Sequence, residues 1–120
     1  MFSQDILRLA QQIVATAAER GLMIATAESC TGGLVCAALT AVPGSSAVVD
    51  RGFVTYSNAA KQQMLGVPEA TLIANGAVSE PTARAMAEGA AAQSNASVSV
   101  SVTGIAGPGG GGPDKPVGLV

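Results

Sequence analysis

Apolar residues recur at every third or fourth position over the first twenty residues, which is the period of a helix that buries one face. We therefore predict a helix over 3–20. Ser3 can cap its first turn, Asp5 places an acid in that turn, and Gly21 follows as a stop signal. The apolar run at 22–26 that comes next predicts a strand.

The middle of the chain alternates between helical and β-rich patterns. A second helix is predicted over 31–41, because a Pro-Gly-Ser-Ser turn follows it. A β-rich stretch covers 47–56, with a bulge or bend expected at 50–52. Asn58 can then cap a short helix over 59–65.

The last third of the chain predicts two helices and a strand. The helices cover 69–75 and the alanine-rich segment 79–93. In 97–103 valines alternate with serines, so we expect a strand with a buried valine face and a lightly covered serine face. The apolar run at 117–120 has the composition of a further strand, so we expect one domain over 1–120 that lacks its last strand and helix.

These elements form three β-α units with short connections, a pattern typical of an α/β fold. We predict a three-layer α/β/α sandwich around a mixed, mostly parallel sheet. The composition agrees with one packed core, since 48% of the residues are hydrophobic and only 12% are charged.

Charge and composition exclude several classes of function. A net charge of −2, two lysines and three aromatic residues (two Phe, one Tyr) argue against direct nucleic-acid binding. Cys30 and Cys36 are six positions apart and the chain has no histidine, so neither a redox pair nor a metal site is expected. No apolar run is long enough to span a membrane and no export signal is evident, so we expect a cytoplasmic protein without membrane contact.

The stretch 26–33, Thr-Ala-Glu-Ser-Cys-Thr-Gly-Gly, lies where the first strand is expected to turn into the second helix. In open α/β sheets ligands bind at this end of the strands, near the free N–H groups of the following helix. Ser29 lies at this turn, and Gly32 and Gly33 would let an oxyanion or a phosphate approach the backbone closely.

A serine nucleophile in this chain cannot use a histidine base, because there is none. Serine with lysine is a known alternative. Lys61, predicted near the start of a helix that follows the second strand, becomes a base if burial or a helix N-terminus lowers its pKa. Tyr56 could carry a proton or orient a substrate, and all three residues are expected at one end of the sheet.

Each of these residues also has an ordinary structural interpretation. Lys61 could be a solvated helix residue, Tyr56 an ordinary residue at a strand end, and Ser29 a helix cap. Cys30 is either a competing nucleophile or a small buried filler. Glu28 could bind a sugar hydroxyl, hold Lys61, or be an exposed acid at a helix start.

The glycine-rich segment 104–112 follows the last predicted strand directly. It is neither a Walker sequence nor a dinucleotide-binding fingerprint. It therefore predicts an active-site loop, a flexible lid or a plain connection.

Five motifs in this order resemble the CinA C-terminal domain family, the nicotinamide-nucleotide amidohydrolases, over nearly the whole chain. They are Thr-Ala-Glu-Ser-Cys-Thr-Gly-Gly at 26–33, Val-Pro-Gly-Ser-Ser at 42–46, Gly-Phe-Val-Thr-Tyr-Ser-Asn at 52–58 with Lys61, Gly-Ala-Val-Ser-Glu at 76–80, and Val-Thr-Gly-Ile-Ala-Gly-Pro-Gly-Gly at 102–110.

The resemblance implies hydrolysis of nicotinamide mononucleotide to nicotinic acid mononucleotide and ammonia in pyridine nucleotide salvage, without a cofactor. It implies that Ser29 is the nucleophile, Lys61 its base and Tyr56 a helper. The residues that it implies at the substrate are Glu28, Cys30, Thr31, Gly32, Gly33, Asn58, Thr103, Gly104 and Gly107.

The same resemblance implies partners and an alternative function. Family domains also occur fused to an N-terminal CinA-type domain and carry a competence or damage-inducible label. The alternative is therefore a nucleotide-sensing or partner-binding module without turnover. An alanine- and valine-rich surface with few charges also predicts a homo-oligomer.

Overall fold

Three parallel strands lie between two layers of helices in the computed structural model, which describes residues 1–120. The predicted α/β/α sandwich is confirmed, and all three strands run parallel in the order β2-β1-β3. No helix combines the length and the hydropathy that crossing a membrane requires. The elements are α1 (Gln4–Arg20), β1 (Ile24–Glu28), α2 (Leu34–Thr40), β2 (Val49–Val54), α3 (Asn58–Leu65), α4 (Glu69–Asn75), α5 (Glu80–Ala92) and β3 (Val98–Val102), with a short 3-10 turn at Ser45–Ala47.

Alternate residues of the central strand β1 supply the two cores. Ile24 points to the layer of α1 and α2, where Val14 and Leu39 pack against it. Ala25 and Ala27 point to the opposite layer of α3, α4 and α5, where the core includes the fully buried Met86 and Ala90. Because both faces of β1 are covered, every residue of this strand is buried.

The turn between β1 and α2 begins and ends later in the chain than predicted. β1 continues to Glu28, and α2 begins at Leu34 rather than at residue 31. Gly32 and Gly33 have φ values of 58° and 104°, which a right-handed helix cannot include. The turn therefore consists of 29–33, with Ser29 as its first residue.

The predicted cap of α3 is wrong by one position. Ser57, not Asn58, has the extended backbone of a cap, and its hydroxyl accepts a 3.0 Å hydrogen bond from the Ala60 N–H. Asn58 is the first residue of the helix itself. The bulge predicted in the second strand is confirmed, because the β1–β2 register skips Asp50.

The strand β3 is formed as predicted, but the prediction of which face is buried is wrong. Its serines lie under α5, where Ser99 and Ser101 donate hydrogen bonds of 2.7 and 2.6 Å to helix carbonyl oxygens. Val98 and Val100 on the other face remain 44% and 43% exposed. The small residues of α5 let its backbone approach the strand, so serine hydroxyls can satisfy carbonyl oxygens there.

The predicted strand at 117–120 is not formed. Only Ile105 pairs with this segment, through backbone hydrogen bonds with Gly118 and Leu119. Gly118 has a φ of 92°, which is incompatible with an extended strand. The segment instead turns back over the glycine-rich loop.

Candidate active site

Three hydroxyl residues follow the three strands at one edge of the sheet. Ser29, Thr55 and Thr103 each come directly after the last residue of a strand, and the register aligns those last residues. All three are buried. The Ser29 N–H donates to the Val102 carbonyl oxygen at 2.9 Å and the Thr55 N–H to the Glu28 carbonyl oxygen at 2.8 Å, so the three strand ends are tied together.

Lys61 reaches this edge from the first turn of α3 and is fully buried. Its Nζ lies 3.0 Å from the Ser29 Oγ, 2.8 Å from the Thr55 carbonyl oxygen and 3.1 Å from the Tyr56 carbonyl oxygen. No carboxylate forms an ion pair with it. The interpretation of Lys61 as a solvated helix residue is therefore wrong.

The surroundings of Lys61 favour its neutral form. Burial lowers the pKa of Lys61 below its ordinary value of 10.5, because an ammonium group loses hydration there. A negative charge on the neighbouring Cys30 sulfur acts in the opposite direction and is the smaller effect. A lysine with a lowered pKa next to a serine hydroxyl can serve as its base.

Glu28 lies beneath the start of α2 and accepts its free N–H groups. It is buried, and its carboxylate accepts hydrogen bonds from the Thr31 hydroxyl at 2.6 Å and from the Val35 and Cys36 N–H groups at 2.9 and 3.0 Å. Glu28 therefore neither holds Lys61 nor lies exposed, which corrects both of those interpretations. Burial would raise the pKa of Glu28, but the hydrogen bonds from Thr31 and from the N–H groups at the start of α2 outweigh it and place the pKa below 4.5.

Replacing Glu28 by glutamine should destabilise the fold. Both carboxylate oxygens accept from donors, so one glutamine N–H₂ group would face an N–H or hydroxyl donor. We expect the free energy of unfolding to fall by about 1–3 kcal/mol. Chemical denaturation measures this change, with Glu88→Gln on the exposed side of α5 as the control.

The pH dependence of stability gives a second readout for Glu28. Its pKa is lower when folded, so its contribution is complete above the ordinary value of 4.5 and is lost as the pH falls through the folded-state pKa. Glu28→Gln should remove this part of the acid sensitivity. Equal stability of Glu28→Gln and Glu88→Gln would contradict the capping role.

The N–H groups of Gly32 and Gly33, where an oxyanion or a phosphate is expected to approach the backbone, already have partners within the chain. The Gly32 N–H donates to the Ser29 carbonyl oxygen at 3.1 Å, and the Gly33 N–H is directed at Glu28. The N–H groups of Cys30 and Gly104 make no hydrogen bond within the chain. A Cβ on Gly104 would lie 3.2 Å from the Cys30 sulfur, so these two residues are close neighbours.

A cleft of about 310 Å³ opens above Ser29 and Lys61. Of the predicted site residues, it brings together Ser29, Cys30, Tyr56, Lys61, Thr103, Gly104 and Gly107. The predicted residues outside it are Glu28, Thr31, Gly32, Gly33 and Asn58. Glu28 is the last residue of β1, Thr31, Gly32 and Gly33 belong to the turn that follows Ser29, and Asn58 is exposed at the start of α3.

The side chains of two cleft residues, Tyr56 and Thr103, form no hydrogen bond with Ser29 or Lys61. Only the backbone carbonyl of Tyr56 contacts Lys61, and its side chain is 74% exposed at the cleft. The Thr103 hydroxyl donates to the Ala77 carbonyl oxygen at 2.9 Å. This bond fixes one wall of the cleft beside Ser29.

Sequence reasoning missed the carbonyl oxygens that hold Lys61 and the wall formed by Ala77 and Val78. Peptide oxygens carry no side-chain signal, and alanine and valine are ordinary core residues. The sequence signal for this wall is the position of 76–80 between two helices, where a connection can line a site. No three His, Cys, Asp or Glu side chains cluster as possible metal ligands.

The fold and site define an α/β domain with a buried serine–lysine pair at the carboxyl edge of a parallel sheet. The sequence model of the CinA C-terminal domain matches residues 6–120. The chain therefore belongs to the CinA C-terminal domain family.

Known relatives agree with this assignment. The chain is 56% identical, over all of its length, to a CinA-like protein of Anaeromyxobacter sp. strain K, and it spans 29% of that protein. The crystal structure of the competence/damage inducible protein CihA from Agrobacterium tumefaciens superposes with a TM-score of 0.96 at 59% identity, covering 98% of this chain and 72% of that one. A CinA superfamily protein from Escherichia coli gives 0.91 at 36% identity, covering 98% of this chain and 70% of that one.

Proposed function

We propose that the chain is an amidohydrolase that converts nicotinamide mononucleotide and water to nicotinic acid mononucleotide and ammonia. The arrangement around Lys61 supports this chemistry, because two carbonyl oxygens and the Ser29 Oγ surround Nζ at 2.8 to 3.1 Å. A neutral amine has two N–H groups for the carbonyl oxygens and one lone pair for the serine proton. The substrate assignment comes from the family resemblance, since the relatives' names refer only to CinA, competence and damage.

The first half of the reaction forms an ester on Ser29. Lys61 accepts the hydroxyl proton as Oγ attacks the carboxamide carbon, and the free N–H groups of Cys30 and Gly104 face the oxyanion. The Lys61 ammonium then gives its proton to the amide nitrogen. The C–N bond breaks, and ammonia leaves.

The second half releases the acid. Water attacks the ester carbon while Lys61 accepts its proton, the bond to Oγ breaks, and Ser29 recovers the proton. The sum is one amide and one water converted to one acid and ammonia. These reaction steps require neither a metal nor an organic cofactor.

Tyr56 serves this reaction by orienting the substrate. Its side chain is largely exposed at the cleft, and its hydroxyl contacts neither Ser29 nor Lys61. An aromatic ring in that position offers a flat surface to a pyridine ring. A role in orientation is therefore better supported than proton transfer.

The pH dependence of deamidation tests the proposed function. The reactive form of Lys61 is the neutral amine, and burial lowers its pKa from 10.5, so kcat/KM should rise with pH to an apparent pKa below 10.5. Ammonia release from nicotinamide mononucleotide, measured from about pH 6 to about pH 10, gives this profile. A rate that falls with pH across this range would contradict a lysine base, and no release at any pH would contradict the amidohydrolase.

Partner binding is the second candidate function, favoured by an apolar groove of about 480 Å³ between α1 and α2. Ile6, Leu9 and Ile13 of α1 and Leu34 of α2 are exposed in it. We propose that a second copy covers this groove. An Asp5–Arg8 pair on α1 places both signs of charge on the same helix, which suits a self-complementary contact.

Leu9→Glu should shift the chain from oligomer to monomer, because it places a charge in the apolar contact. Light scattering coupled to size exclusion measures the mass. Arg20→Glu, outside the groove at the end of α1, is the control. A monomeric parent chain, or an unchanged oligomer in Leu9→Glu, would contradict self-association through this surface.

A further inference from the structure

The chain has six basic side chains, and their surroundings differ. Arg8, Arg51 and Arg84 each pair with a carboxylate. Arg20 lies at the end of α1, on the opposite side of the sheet from α4 and α5. Lys61 is buried against Ser29, so Lys115 is the remaining cation.

Lys115 is held beside the wall of the cleft. Its Nζ donates a 2.7 Å hydrogen bond to the carbonyl oxygen of Asn75, the last residue of α4. A Cβ on Gly76 would lie 3.1 Å from this Nζ, and Ala77, the next residue, lines the cleft. No carboxylate lies within ion-pair distance of Lys115, and an ammonium group has two further N–H bonds to donate.

The glycine-rich loop lines the same cleft as Ala77. Ala106, Gly107, Gly109 and Gly110 all line it, and their backbone N–H groups make no hydrogen bond within the chain. Gly107 and Gly110 have φ values of 76° and 85°. Unpaired N–H groups in such backbone turns form concave sites for anions.

We propose that Lys115 and the free N–H groups of Ala106, Gly107, Gly109 and Gly110 bind the phosphate of the nucleotide substrate. This proposal rests on the proposed function, whose carboxamide chemistry takes place at Ser29 in the same cleft. The substrate would lie with its carboxamide at Ser29 and its phosphate at the loop. The subsite makes the site selective for a nucleotide over the corresponding nucleoside.

The test compares nicotinamide mononucleotide with nicotinamide riboside, which has the same carboxamide and no phosphate. Lys115→Met should lower kcat/KM about 10- to 100-fold for the mononucleotide, mainly through KM, and leave the riboside unchanged. Lys115→Arg should recover most of the loss, since it keeps the charge. Arg84→Met, which removes an exposed charge on α5, should change neither substrate.

An equal loss for both substrates would overturn the phosphate subsite and make Lys115 a structural link between the loop and α4. A second measurement does not depend on turnover. Lys115 is the only lysine that is not fully buried, so its acetylation by acetic anhydride can be followed by mass spectrometry. Ribose 5-phosphate should slow this acetylation, whereas ribose should not.

The two measurements separate the two proposals. Protection by ribose 5-phosphate without any turnover would contradict the amidohydrolase and support the subsite. Turnover of the mononucleotide without protection at saturating ribose 5-phosphate would support the amidohydrolase and overturn the subsite.

Discussion

Ser29→Ala is expected to lower the turnover of nicotinamide mononucleotide by about 10⁴- to 10⁶-fold, because the substitution removes the atom that forms the ester. The backbone hydrogen bond from the Ser29 N–H to the Val102 carbonyl oxygen does not involve the side chain, so the turn should keep its shape. Binding of the product, nicotinic acid mononucleotide, should therefore remain. Initial rates and calorimetric titration measure the two quantities separately.

Ser46→Ala is the matched control, because Ser46 is exposed and its hydroxyl makes no hydrogen bond within the chain. We expect its rate and affinity to equal those of the parent chain. Deamidation by Ser29→Ala at the parent rate would contradict the assignment of Ser29 as the nucleophile. The neighbouring Cys30 would then be the next nucleophile to test.

Lys61→Met should lower turnover by about 10²- to 10⁴-fold, the range for loss of a general base. Methionine has a similar length and fits an apolar surrounding, but it cannot accept the Ser29 proton or protonate the leaving nitrogen. The Thr55 and Tyr56 carbonyl oxygens would lose their donor, so thermal unfolding is measured alongside the rate. Gln63→Met, at an exposed position of α3, controls for the introduction of methionine.

Lys61→Arg separates a base from a fixed charge. A guanidinium group stays protonated in proteins, so it can stabilise an anion but cannot accept the serine proton. We expect Lys61→Arg to be as impaired as Lys61→Met. Near-parental turnover of Lys61→Arg would show that Lys61 acts through its charge.

The meeting of Ser29 and Lys61 could be predicted from the sequence because it depends on chain order. In a parallel sheet the carboxyl ends of all strands lie at one edge, so a residue after β1 and a residue soon after β2 come together. The sequence shows only that Lys61 can act as a base if burial lowers its pKa, and in the structure burial does lower it. Whether that condition is met depends on how α3 packs, which local sequence does not determine.

The role of Glu28 could not be predicted for a different reason. An acid before a predicted helix start suggests an exposed position or a ligand contact, but two glycines in left-handed conformations displace the start of α2. The carboxylate then lies under the new helix start and accepts its N–H groups. In the same turn the Gly32 N–H donates to the Ser29 carbonyl oxygen, whereas the Cys30 N–H makes no hydrogen bond within the chain.

The valine and serine faces of β3 show that hydrophobic periodicity can predict a strand without predicting which of its faces is buried. Alternation identified the strand, but it assigned the apolar face to the core by default. The alanines and Gly89 of α5 allow a close approach that serine can use, so the serine face is covered. Which face of β3 is buried can be recognised only once the position of α5 against the strand is known.

Product formation from nicotinamide mononucleotide in the presence of a chelator tests the central claim most directly. The folded chain is incubated with the mononucleotide and EDTA, and ammonia and nicotinic acid mononucleotide are both quantified. The serine–lysine mechanism predicts equal amounts of the two products at a rate that the chelator does not change. No product from a cooperatively folded chain, or a rate that EDTA abolishes and added metal restores, would contradict it.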